Sequence, residues 1–459
     1  MSRQLGTMVM VAALLAGCGD DPLQTDASPA GLEGTADAGE QWWWGGWGRQ
    51  DYEVWVVDQS NSPGASHGGT LYIYPGKGLG SSSPPAEPER VDLAGHTTNL
   101  CLANTGVAPV RPHMVFFNAA STHAILSFVA SGHVVVFKAR TREPVACLIS
   151  SAGTGGARQA HAAFPAPDDS YILVANQNGK LLERIDADFR SNSFQFNPAA
   201  RIDLATCTTP SGAPCESPVV RPDNAPICPI VDGGSRLAFV TLRGGGLLVV
   251  NPRETPMRIV AEYDRSVVHG NGCGGWQVGR KMFLDSGGGT GANMTEFDLY
   301  RFDLRGFAAV NPTNGPAPTI LYSDDHGHRD AHGMAVVGGE RYLWVADRAA
   351  NLAEVFDVRS GRRLDPVQLV GPLSDDPTPD LLDVSPSGDL LFVTLRGPTP
   401  LSGDPHVSTG STPGLGVVRL RHDGRKGELV AIHRITNPDA GGVERADPHG
   451  LRVRRTGGK

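Results

Sequence analysis

The 459-residue chain has almost no helical periodicity, and beyond its first residues no apolar run is long enough to span a bilayer. Charged residues make up only 19% of it, with 40 Lys and Arg against 48 Asp and Glu. The net charge of −8 leaves no basic face for nucleic acid, and no nucleic-acid partner is expected. The chain also lacks a Gly-x-Ser-x-Gly nucleophile motif, a His-Glu-x-x-His zinc motif and a haem-attachment motif. Those absences argue against a serine hydrolase, a metalloprotease and a c-type cytochrome. Glycine runs at 243–246 and 286–291 open no helix and read as turns rather than phosphate loops. What is abundant is glycine (58) and proline (35), beside 40% hydrophobic residues. This is the composition of a turn-rich β protein with a real core, not of a disordered chain.

Three segments follow from the pattern. Arg3, the short apolar run from Met8 to Leu15 and the stretch LLAGC at 14–18 resemble a bacterial lipoprotein signal. The resemblance implies removal of residues 1–17 and lipidation of Cys18, which makes the membrane a partner through lipid and places the protein in the cell envelope. Residues 18–49 are acidic, then rich in Ala, Gly and Thr, and end in a patch with Trp42, Trp43, Trp44 and Trp47; they read as a flexible tether. Residues 50–459 form the folded region. Six cysteines remain beyond Cys18, an even number that suits up to three disulfides in an oxidising compartment. Cys207 and Cys215 bracket a short loop, and Cys101 can bridge to Cys147. Cys228 and Cys273 either form a disulfide or act as thiolate ligands.

Short β-branched runs recur as one unit repeated seven times. The second strand of each unit is EVWVVDQ (53–59), AILSFVA (124–130), YILVANQ (171–177), RLAFVTLR (236–243), KMFLDSG (281–287), RYLWVADR (341–348) and DLLFVTLR (389–396). First strands start near His113, His161, Cys228, His269, His332 and Asp380, and the unit beginning at Asp51 lacks one. HGLRVRR (449–455) supplies it. The expected fold is an all-β, seven-bladed propeller closed by pairing of the C-terminal strand with the N-terminal blade.

These units, with their His-Gly or Pro-His starts and strands ending in Asn or Asp, resemble YVTN-type and quinoprotein-amine-dehydrogenase-like propellers. That group includes the propeller domain of nitrous oxide reductase, whose histidines hold copper. The resemblance covers residues 50–455. Cys228 and Asp380 depart from an all-histidine ring, and no cupredoxin-like segment follows, so full nitrous oxide reduction is not expected.

Aligned first strands put His449, His113, His161, Cys228, His269, His332 and Asp380 at one register, where a propeller lines its channel. Five of the 14 histidines fall there. Asp58, Asn176, Asp285 and Asp347 end the second strands beside four of them and are expected to orient the imidazoles. His449, His113 and His161 make the first metal trio, with His269 and His332 a second pair that His328 supplements. Copper is the expected metal, with zinc or none as alternatives. A lactonase-like, metal-free hydrolase and a non-catalytic scaffold for a ligand or protein partner are the competing readings. Arg243, Arg348 and Arg396 fall near the same mouth, where solvated turn arginines are expected and an anion-binding role is the alternative.

Overall fold

The computed structural model describes residues 51–81, 87–290, 293–307, 315–401 and 408–456. The expectations for the signal segment, Cys18 and the Trp-ended tether lie outside these residues. No helix among the described residues is long and apolar enough to cross a membrane.

The described strands assort into six sheets, antiparallel but for one short pairing. Alternating or continuous apolar runs dictate this. Tyr52–Asp58, Tyr171–Asn176 and Tyr342–Asp347 are second strands with almost every side chain buried, as strands covered on both faces must be. Trp55 and Trp344 are wholly buried among them. The largest sheet has eight strands and joins two four-strand groups through a short parallel pairing of 295–296 with 329–330. One element departs from the sequence reading: His96–Thr105 is a helix closed by Gly106 in the left-handed conformation. It carries Cys101 to Cys147 on the next sheet.

All three cysteine pairs are disulfides: Cys101–Cys147, Cys207–Cys215 and Cys228–Cys273. For Cys228 and Cys273 the structure has the disulfide of the two alternatives, with both sulfurs near a ring nitrogen of His161.

The C-terminal strand Pro448–Arg455 pairs antiparallel with Tyr52–Asp58, bringing Asp58 opposite Pro448 and Val56 opposite Leu451. Inner strands pack against one another in sequence. Pro112–Phe117 lies between Pro448–Arg455 and Ala160–Pro165, and Pro379–Val384 lies between Arg329–Val337 and Pro448–Arg455. Most inner strands carry a β-bulge at the same point, between Pro112 and Val115, Ala160 and Ala162, Pro226 and Pro229, Ala331 and Met334, and Pro379 and Leu382. The strand Pro448–Arg455 has the matching irregularity opposite Val56 and Asp58. A bulge re-aims the extra residue, and the re-aimed residues are His113, His161, Ile227, His332, Asp380 and His449. Gly333 and Gly450 follow two of these histidines because a Cβ there would strike the backbone of the neighbouring inner strand at Asp380 and His113.

Candidate metal and ligand site in the cavity between the inner strands

Four of the expected histidines meet in one cavity of about 490 Å³. His161 and His113 have ring centroids 4.5 Å apart, His113 stacks on His449 at 4.0 Å, and His449 lies 5.3 Å from His332. The rings form a continuous line on the cavity wall.

Each ring turns Nδ1 away from the cavity toward a fixed oxygen. His161 Nδ1 donates to the Ile227 carbonyl at 2.9 Å, an oxygen that can only accept. His113 Nδ1 donates to Gln59 Oε1 at 2.5 Å. Gln59 Nε2 gives its own hydrogen to Asp447 at 2.6 Å, which fixes the orientation of the amide. His449 Nδ1 donates to Asp380 Oδ2 at 2.6 Å, and His332 Nδ1 lies 2.9 Å from Asp380 Oδ1. With its hydrogen on Nδ1, His449 leaves its Nε2 lone pair for whatever the cavity holds. Nε2 of His113 and His161 are 3.3 Å apart. Nε2 of His449, a residue only 1% exposed, has no hydrogen-bond partner among the described residues.

Electrostatics keep two of the rings, His113 and His332, neutral. Burial, then the neighbouring imidazoles, holds His113 well below the usual histidine value. Burial pushes His332 down to about 3. Behind the rings, Arg396 forms a two-bonded pair with Asp447 and reaches Asp380 at 3.1 Å. Arg348 does the same with Asp330 and approaches Asp380 at 3.5 Å. These arginines are 1% and 4% exposed, so they are buried ion-pair members, contrary to the expectation of solvated turns. Although burial opposes its charge, Asp380 is held well below the usual carboxylate range by His449, His332 and both guanidiniums. Three carboxylates against two guanidiniums leave one negative charge in excess while the imidazoles are neutral.

Several expected site residues lie elsewhere. His269 precedes its inner strand, Gly275–Val278, and its Nδ1 sits 2.7 Å from Glu296 and 2.8 Å from Asp298, away from the cavity. In that unit GCGG (272–275) aligns with AHGM (331–334), so Cys273 takes the position assigned to His269. In the unit before it, the bulge makes Ile227 the cavity-facing residue, and Cys228 falls one place later. His328 is exposed and lines no part of the cavity. Asp58, Asn176 and Asp347 accept the backbone N–H of Asp447, Gln159 and Asp330, each two residues before a cavity histidine. Asp285 accepts from Gly274 N–H. These groups satisfy backbone donors left over by the bulges; the imidazoles are oriented by Asp380, Gln59 and Ile227 instead. Gln59 could have been found by the signal that follows it through the repeat: the residue after each second strand, at 59, 177, 243, 348 and 396, lines the cavity.

No family model matches the chain, and no curated protein matches it in sequence. Solved structures match it in fold. The periplasmic gluconolactonase PpgL of Pseudomonas aeruginosa is 14% identical, with a TM-score of 0.53, over 88% of this chain and 99% of that one. A protein from Lactobacillus plantarum is 9% identical, with a TM-score of 0.53 and the same coverage. At these identities the likeness is one of fold alone, and that fold is the β-propeller.

Proposed function

We propose that this chain is a closed, seven-bladed, extracytoplasmic propeller that binds a transition metal through Nε2 of His113, His161 and His449, with His332 beside them. The observation that carries the reading is the pair of Nε2 atoms 3.3 Å apart. With the Nδ1 hydrogens given to Gln59 and Ile227, the two Nε2 atoms face each other at a separation that a cation between them would suit. Two imidazoles on a tetrahedral ion with bonds of about 2.0 Å stand about 3.3 Å apart. The lowered value of His113, the oxygen-bound Nδ1 atoms of His113, His161 and His449, and the unpartnered Nε2 of His449 fit the same role. Copper suits an imidazole-rich donor set in an oxidising compartment, and zinc is the alternative. A bound ion would supply redox or Lewis-acid chemistry, while the chain's own residues hold the rings in one tautomer and exclude carboxylates from the cavity wall.

Three disulfides support an oxidising location, and LLAGC supports a lipid on Cys18. The test is metal content of the purified full-length chain by inductively coupled plasma mass spectrometry, beside a folded His113→Ala/His161→Ala/His449→Ala variant. Near-stoichiometric copper or zinc that disappears in the variant is expected. An absence of metal, even after reconstitution with copper, overturns the reading. Metal-free lactone hydrolysis is the second reading, favoured by the fold shared with a gluconolactonase; activity that survives chelation would select it.

A further inference from the structure

Five arginines line the same cavity as the four histidines, and no Asp or Glu lines it among the described residues. The arginines divide by their partners. Arg348 and Arg396 are neutralised from behind by the three buried aspartates, and Arg243 is bonded to Asp223 at 2.6 Å. Arg111 and Arg158 are different. Among the described residues the Arg111 guanidinium donates only to the Leu401 carbonyl, at 2.6 Å, and Arg158 makes no ion pair or hydrogen bond. Both are partly buried. A guanidinium withdrawn from water with no ion-paired carboxylate among the described residues is a costly arrangement, and burial lowers the Arg111 value, with the more distant Asp447 opposing it.

Backbone geometry points the same way. Arg111 has φ +57°, in the left-handed region that disfavours residues with a Cβ, immediately before Pro112. The same turn recurs before two other inner strands, at Asn271 and Thr378. The fold therefore imposes the turn, and at 111 the sequence fills it with a long cation directed at the cavity. The remaining polar wall is neutral amide, including Gln159, Gln177 and Asn178.

We propose that the cavity takes a small organic oxyanion, its carboxylate or phosphate group held by the guanidiniums of Arg111 and Arg158. A planar fork of N–H donors matches either group, and wall amides are placed to bond hydroxyl or carbonyl groups on the rest of the molecule. This inference deepens the reading above and shares its cavity, but it does not depend on a metal being bound.

The experiment is isothermal titration of inorganic phosphate into full-length protein stripped of metal with a chelator. Saturable one-site binding is expected, weakening as chloride is raised. Affinity should fall at least tenfold in Arg111→Gln/Arg158→Gln. Arg158→Gln alone breaks no hydrogen bond or ion pair among the described residues, so a several-fold loss in that variant, with an unchanged melting temperature, separates binding from folding. The absence of saturable binding, or equal binding by the parent and both variants, overturns the inference. Metal retained without phosphate binding would sink this inference and leave the metal reading standing; phosphate binding without metal would do the reverse.

Discussion

At the residue scale the site turns on Asp380. One carboxylate faces His449, His332, Arg348 and Arg396. It fixes the tautomer of His449, stands 2.9 Å from Nδ1 of His332 and holds together two ion pairs whose other halves are Asp330 and Asp447. Asp380→Asn keeps the shape and removes the charge, leaving both guanidiniums with one carboxylate each and freeing His449 to flip. Taking one partner from a buried charge network costs on the order of 3 kcal/mol, and loss of an orienting acceptor typically costs 10–100-fold in metal affinity. Thermal melts and competition titration with a chromogenic chelator should show both losses. A variant that binds metal as tightly as the parent would remove Asp380 from the site. In the sequence, Asp380 looks like a gap in a histidine ring. Its role depends on which side chains converge on it from other units, and spacing does not report that.

At the element scale, alternation made the strands legible and the bulges hid part of the site. A period of two gives six second strands within a residue or two of those observed, and a seventh, Lys281–Thr290, that runs three residues longer than read, because a slip of one would turn a buried face to water. An inserted residue breaks that rule locally. In PICP (226–229) the bulge makes Ile227, not Cys228, the cavity residue. In VVHGNGCGG (267–275) two doublets compete, and the strand begins after the second. His269 is thus released to tie its loop to the next strand, Asn293–Asp303, through Asp298 and Glu296. Those hydrogen bonds, Asp298 first, raise its value to about 10. The folded value lies above the unfolded one, near 6.5, so the contribution to stability is complete below pH 6.5 and is lost as pH rises through 10. The stability gap between the parent and His269→Gln should be widest near pH 6 and closed by pH 10.5, as read from urea unfolding across that range. A gap independent of pH would mean that the imidazole acts by packing alone. The ring is 42% exposed, so the effect should also shrink in high salt.

At the scale of the whole molecule, the two ends of the folded region meet at the site. The C-terminal segment brings His449 beside His113, and Asp447 beside Gln59, 388 residues away, as well as beside Arg396, 51 residues away. This strand pairing was readable because HGLRVRR had the right pattern and no neighbour to pair with. The cavity's chemistry was less readable, since it is assembled from single residues on separate units. If strand pairing rather than chain connectivity makes the site, the chain can be cut and rejoined around it. Thr456 N–H donates to the Asp51 carbonyl at 2.9 Å, so a short turn from 456 to 51 completes a hairpin. The exposed loop 439–443 then offers new termini. This circular permutant should melt within a few degrees of an unpermuted 51–459 control and retain its metal. A chain ending at Ala446 should lose His449 and leave Tyr52–Asp58 with an unpaired edge, giving aggregation and no metal. Size-exclusion chromatography and metal analysis of the three proteins decide it. A truncated chain that stays monomeric and metal-loaded would show that the last strand is dispensable and that the site is built without His449.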